Sequence, residues 1–123
     1  MITKQQVFAA MNELGVIRAV ADFSGGNDEG GVNSVALYRT GDENEQPERL
    51  DAYEYSSWGD ETKKATPQGM IVQGLEGPVD GKYGSFAGEF YVNGTVTADL
   101  AAGTLEMSGE EEVSHPESFS ESW

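Results

Sequence analysis

Basic residues are what this chain lacks most. Seven Lys and Arg stand against twenty-two Asp and Glu, a formal net charge of −15 over 123 residues. That shortage excludes direct nucleic-acid binding, which needs a basic footprint to neutralise phosphates, and it disfavours anionic lipid surfaces. Cysteine is absent, so there is neither a disulfide framework nor a thiolate metal site. The single histidine, His115, stands beside Pro116 in a polar stretch. A Ser–His–Asp arrangement needs a firmly positioned base, so no catalytic residue is assigned and no enzyme is expected. No apolar run approaches the roughly 20 residues of a membrane-spanning helix, and Met1–Gln6 carries no apolar leader core. A cytoplasmic protein without a membrane partner is expected.

What is present is acid and glycine. A net charge of magnitude about 2–8 suffices to keep a small domain soluble, and a larger excess of one sign opposes compaction. The excess therefore points to a positively charged partner, a cation, or adaptation of the surface to its solvent. It is unevenly placed. Residues 1–21 are near neutral, residues 22–62 hold eleven acids against Arg39 and Arg49, and beyond Lys82 there is no Lys or Arg. Aromatic residues run throughout, and sixteen glycines mark many turns, so the chain reads as a folded domain and not as a disordered acidic one.

Thr3 and Gln6 form a capping-box signature. Val7, Phe8, Met11 and Leu14 follow at helical spacing, and Gly15 supplies a stop, which predicts a helix over 4–14. Residues 16–23 alternate with Ile17, Ala19, Ala21 and Phe23 on one face, predicting a strand. Residues 24–31 read as a Gly-rich acidic turn and 32–39 as the returning strand. A polar loop over 40–48 leads to a third strand over 49–55. Residues 56–69 look irregular, with Pro67 arguing against a helix running through them. Met70–Val72 is too short to type, and Gly74 or Gly77 would end any helix there. Asn93–Gly94 is a hairpin signal; the preferred alternative is one long strand with a bulge there, turning at Ala101–Gly103 and returning through Thr104–Met107. The sum is α+β: an N-terminal helix packed on an antiparallel sheet of about four to six strands, in a single domain over 1–113 with a flexible polar tail over 114–123. One sheet face would be open to water and able to display carboxylates.

Two resemblances attach to these residues. Phe23–Val32, Gly81–Phe86 and Asp99–Leu105 are similar to segments of a family of small uncharacterised bacterial and phage proteins; that likeness implies the fold and no activity. The size and charge resemble phage-encoded inhibitors of host defence that imitate DNA, including some anti-restriction and anti-CRISPR proteins.

The acids themselves give the candidate site. Asp42, Glu43, Glu45, Glu48, Asp51, Glu54, Asp60 and Glu61 form one group, and Glu106, Glu110, Glu111 and Glu112 a second. Carboxylates on adjacent strands about 4.8 Å apart approach the charge density of a nucleic-acid backbone. A basic cleft would meet such a surface with salt-sensitive steering, with Tyr53, Tyr55 and Trp58 as aromatic anchors. The expected partner is a basic nucleic-acid-binding protein of a host defence system. No cofactor and no dedicated metal site are expected, because Asn27–Gly30 lacks the ligand spacing of a calcium loop. The alternatives are an acidic domain adapted to its solvent without a tight partner, and a weak cation-binding module.

Overall fold

The computed structural model describes residues 2–26, 29–55, 61–83, 91–112 and 117–122. Six strands form one antiparallel sheet: β1 (Arg18–Gly26), β2 (Glu29–Tyr38), β3 (Glu48–Asp51), β4 (Tyr91–Asp99), β5 (Thr104–Glu112) and β6 (Glu117–Ser122), in the order β3-β2-β1-β4-β5-β6. Helices α1 (Lys4–Leu14), α2 (Ala52–Tyr55), α3 (Glu61–Lys64) and α4 (Pro67–Tyr83) complete the fold. The α+β reading holds, and no helix among the described residues is long and apolar enough to cross a membrane.

The first helix forms where its caps put it. Thr3 accepts the Gln6 N–H, the Gln6 side chain accepts the Thr3 N–H at 2.7 Å, and Gly15 ends the helix in the left-handed region at φ 70°. Its buried face, Val7, Ala10 and Met11, packs on α4, which in turn lies against β1, β2 and β4. Ala19, Ala21 and Phe23 of β1, Val35 and Leu37 of β2, Val92, Val96 and Ala98 of β4, and Leu105 and Met107 of β5 close the core from the sheet side.

Helix α4 is the main departure from expectation. As Pro67 argues, no helix runs through the described residues 61–69: α3 ends at Lys64, and Pro67 starts α4. At the first helical position the missing N–H has no intrahelical acceptor to lose, and Thr66 caps the turn by accepting the Gly69 N–H at 3.1 Å. Gly74 and Gly77 do not end the helix. Gly74 is where α1 presses on α4, since a Cβ there would come 2.1 Å from Val7 Cγ2.

Four further corrections follow. The third strand stops at Asp51, because the Asp51 carboxylate accepts the Tyr53 N–H at 2.9 Å and turns the chain into α2. The turn over 24–31 is shorter, with β1 and β2 pairing through Gly26↔Glu29. Asn93–Gly94 is neither a hairpin nor a bulge: β4 pairs with β5 in unbroken register from Tyr91↔Glu112 to Asp99↔Thr104. A Cβ at Gly94 would come 2.3 Å from the Ser108 carbonyl and 2.8 Å from the Phe23 ring, so this glycine serves close packing inside a strand. The tail expected to be flexible contributes β6, paired with β5 through Glu106↔Ser122 to Glu111↔Glu117.

Candidate functional site

Alternation along the strands sorts the sheet into two faces. The helices bury one. The other carries Asp51 and Arg49 on β3, Ser34 and Tyr38 on β2, Arg18, Val20, Asp22 and Ser24 on β1, Asn93, Thr95, Thr97 and Asp99 on β4, and Glu106, Ser108 and Glu110 on β5. Asp22, Asp51, Glu106 and Glu110 are exposed there. They sit on β3, β1 and β5, so successive acidic strands are about 10 Å apart, with Ser and Thr between them. Along β5, Glu106 and Glu110 are about 13 Å apart. The only carboxylate on this face with a side-chain partner across the strands is Asp22 among the described residues, which accepts the Ser34 hydroxyl.

Apart from Asp51 on the open face, the described members of the first acidic group lie in the loop, at the start of β3 and on the short helices, and most are engaged within the chain. Glu45 accepts the backbone N–H groups of Arg39 at 2.6 Å, Thr40 at 2.9 Å and Gly41 at 3.2 Å, and the Thr40 hydroxyl. These donors, Arg39 N–H first, pull its pKa down to about 2. Asp42 accepts the Asn44 N–H at 2.9 Å. Glu48 pairs with Arg39, Glu54 with Lys63 and Glu61 with Lys64, all at 2.8–3.1 Å. The Arg39 Nε–H also donates to the Leu14 carbonyl at the end of α1, at 3.3 Å. A carboxylate held this way keeps its charge and its long-range field, but its short-range acceptor capacity is used within the chain. Glu43 is exposed.

The fold does not bring the two expected groups together. The β3 edge and strand β5 are four strand spacings apart, about 19 Å. Glu111 and Glu112 lie at the end of β5. Of the aromatic anchors, Tyr53 is 70% exposed on α2 and Tyr55 packs against the core. Trp58, Asp60, His115 and the hairpin tip Asn27–Asp28 lie outside the described residues. No protein family, characterised protein or solved structure matches the chain. The open face therefore has to be read from its own chemistry. Among the described residues no three His, Asp or Glu side chains are grouped closely enough to hold a metal ion.

Three acids escaped the reading of the sequence. Asp22, near the middle of the open face, was visible as the polar member of an alternating strand but was not grouped with the other acids. Glu76 and Asp80 lie one helical turn apart on α4. That spacing is legible only once the helix is known, and Gly74, Gly77 and Pro78 concealed it.

Proposed function

We propose that this chain is an acidic protein-binding module that lays its open sheet face on a basic, nucleic-acid-binding surface of another protein and competes with the nucleic acid for it. The observation that carries the reading is the open face itself. Asp22, Asp51, Glu106 and Glu110 project from it, with hydroxyl side chains between them that both donate and accept hydrogen bonds. Around this face stands a field set by the −15 charge, to which the loop carboxylates contribute at long range. Arg18 and Arg49 lie toward the Tyr38 and Glu48 end of the face, so β5 presents the more purely acidic half. Competition of this kind is electrostatic and steric and uses no catalytic group. It is the mode of action of the inhibitors of host defence that the composition resembles.

The test is retention from a bacterial lysate on the immobilised full chain at about 0.1 M salt, a Debye length of about 10 Å. A nucleic-acid-processing protein should be retained and then released by duplex DNA. Retention of ribosomal and other basic proteins alone, with DNA releasing nothing specific, would favour the reading in which the charge serves solvation.

A further inference from the structure

The C-terminal half of α4 contains a carboxylate that the proposed docking face does not use. Glu76 Oε1 is sealed from solvent and has no hydrogen-bond partner. An ionised oxygen in that position is costly, because burial removes its water and no donor replaces it. One turn further on stands Asp80, a second carboxylate on the same side of the helix. Pro78 lies between them and removes an N–H from the helix ladder. Gly77 and Gly81 flank it, and a Cβ at either would meet nothing within 4 Å, so neither glycine is required by packing and both weaken the helix. Between Glu76 and Gly81, Val79 is the buried side chain.

Among the described residues, Asp80 is the charged group that acts on Glu76. Of the elements packed on α4, α1 brings Lys4, which lies over the Phe8 ring, and Glu13. Helices α2 and α3 bring Glu54 and Lys63, paired with each other, and Lys64, paired with Glu61. The charged groups Arg18 and Asp22 of β1 and Asp99 of β4 belong to the sheet's other face. Asp80 has the same sign as Glu76.

We infer that the C-terminal half of α4 is a proton-dependent latch: with Glu76 protonated, residues 76–83 stay docked on the core, and ionisation of Glu76 loosens them. Burial, reinforced by Asp80, pushes the Glu76 pKa from 4.5 up to about 7, and burial also raises that of Asp80. The sign follows from linkage. A carboxyl group that holds its proton more tightly when folded adds stability that is complete below 4.5 and is lost as pH rises through about 7. The latch is closed in mild acid and loosened above neutrality.

The experiment is amide hydrogen exchange on the full chain at pH 5.5 and pH 8, corrected for intrinsic exchange rates, for the natural sequence and for Glu76→Gln. Protection over 76–83 should fall by about tenfold or more in the natural sequence, while β1 and β4 hold theirs, as expected of a local opening. Glu76→Gln should keep its protection at pH 8. An equal loss in both proteins, or a loss spread evenly over the chain, would overturn the inference. If Glu76→Gln does not fold, the carboxyl carbon of Glu76 can be titrated by NMR in the natural sequence. A midpoint near 7 supports the latch, and one below about 5 overturns it.

Discussion

Glu45 and Glu76 are the same residue type put to opposite uses by their surroundings. Glu45 is surrounded by donors and holds the 40–45 loop closed; Glu76 is surrounded by none. Their contributions to stability lie on opposite sides of the pH scale. The Glu45 contribution is complete above 4.5 and is lost as pH falls toward 2, while that of Glu76 is lost as pH rises toward 7. Thermal stability should therefore peak near about pH 5 and decline by pH 8, as a melting series across that range would show. Glu45→Gln should speed exchange of the Arg39, Thr40 and Gly41 amides and reduce the dependence of that exchange on acid. A melt that is flat between pH 5 and pH 8 would contradict the Glu76 assignment. The helix cap offers a more ordinary residue-scale prediction. Thr3→Ala removes the acceptor of the Gln6 N–H and should cost about 1 kcal/mol, read as a shift in the urea midpoint.

At the scale of elements, glycines decide where chains meet. Gly74→Ala improves intrinsic helix propensity by about 1 kcal/mol. It also places a methyl group 2.1 Å from Val7 Cγ2, and overpacking of this kind costs about 1–3 kcal/mol. The clash should win and the variant should be destabilised. Adding Val7→Ala should recover part of the loss, a coupling that a double-mutant cycle measures. Gly94→Val should be worse tolerated, since the new side chain would meet the Ser108 backbone and the Phe23 ring. These same glycines explain what could be read from the sequence. Helix α1 was legible from its caps and spacing, and β1, β2, β4 and β5 from alternation, because in those segments local preference and burial agree. Helix α4 was not, because Pro67 reads as a break after 56–69 and Gly74 and Gly77 read as helix stops. Pro67 opens the first turn, while Gly69 against the Lys63 and Lys64 backbone and Gly74 against α1 serve close contacts. Asn93–Gly94 misleads for the same reason, its glycine being needed for close packing and not for a turn.

For the whole molecule the controlling quantity is the imbalance of seven basic against twenty-two acidic residues. Self-repulsion of that size is screened by salt, so the melting temperature should rise between about 0.02 M and 0.5 M sodium chloride at pH 7, and an unchanged melt would mean that the charges are too dispersed to act on folding. The acidity of the surface was legible from composition. Which carboxylates are held within the chain was not, because that depends on partners supplied by the fold: Glu45 on three backbone amides, Glu48 on Arg39, Glu54 and Glu61 on lysines, and on the open face Asp22 on the Ser34 hydroxyl and Asp51 on the Tyr53 N–H, while Glu106 and Glu110 stand exposed. Much of the acidic 42–61 segment is thus engaged within the chain at short range while remaining on the surface. The sparser set, Asp22, Asp51, Glu106 and Glu110, comes to one face only when β3, β1 and β5 take alternate places in the sheet, with β2 and β4 between them.

The open face is the centre of this account, and one comparison tests it most directly. Two variants of equal charge change, Asp22→Asn/Glu106→Gln/Glu110→Gln on the open face and Asp42→Asn/Glu43→Gln/Glu61→Gln at the β3 edge, would be titrated against the captured nucleic-acid-binding protein at about 0.1 M salt. The open-face variant should lose tenfold or more in affinity, while the edge variant should lose about threefold or less, as expected when only the long-range field is reduced. Equal losses would mean that the partner responds to total charge alone and would contradict a docking face on the sheet.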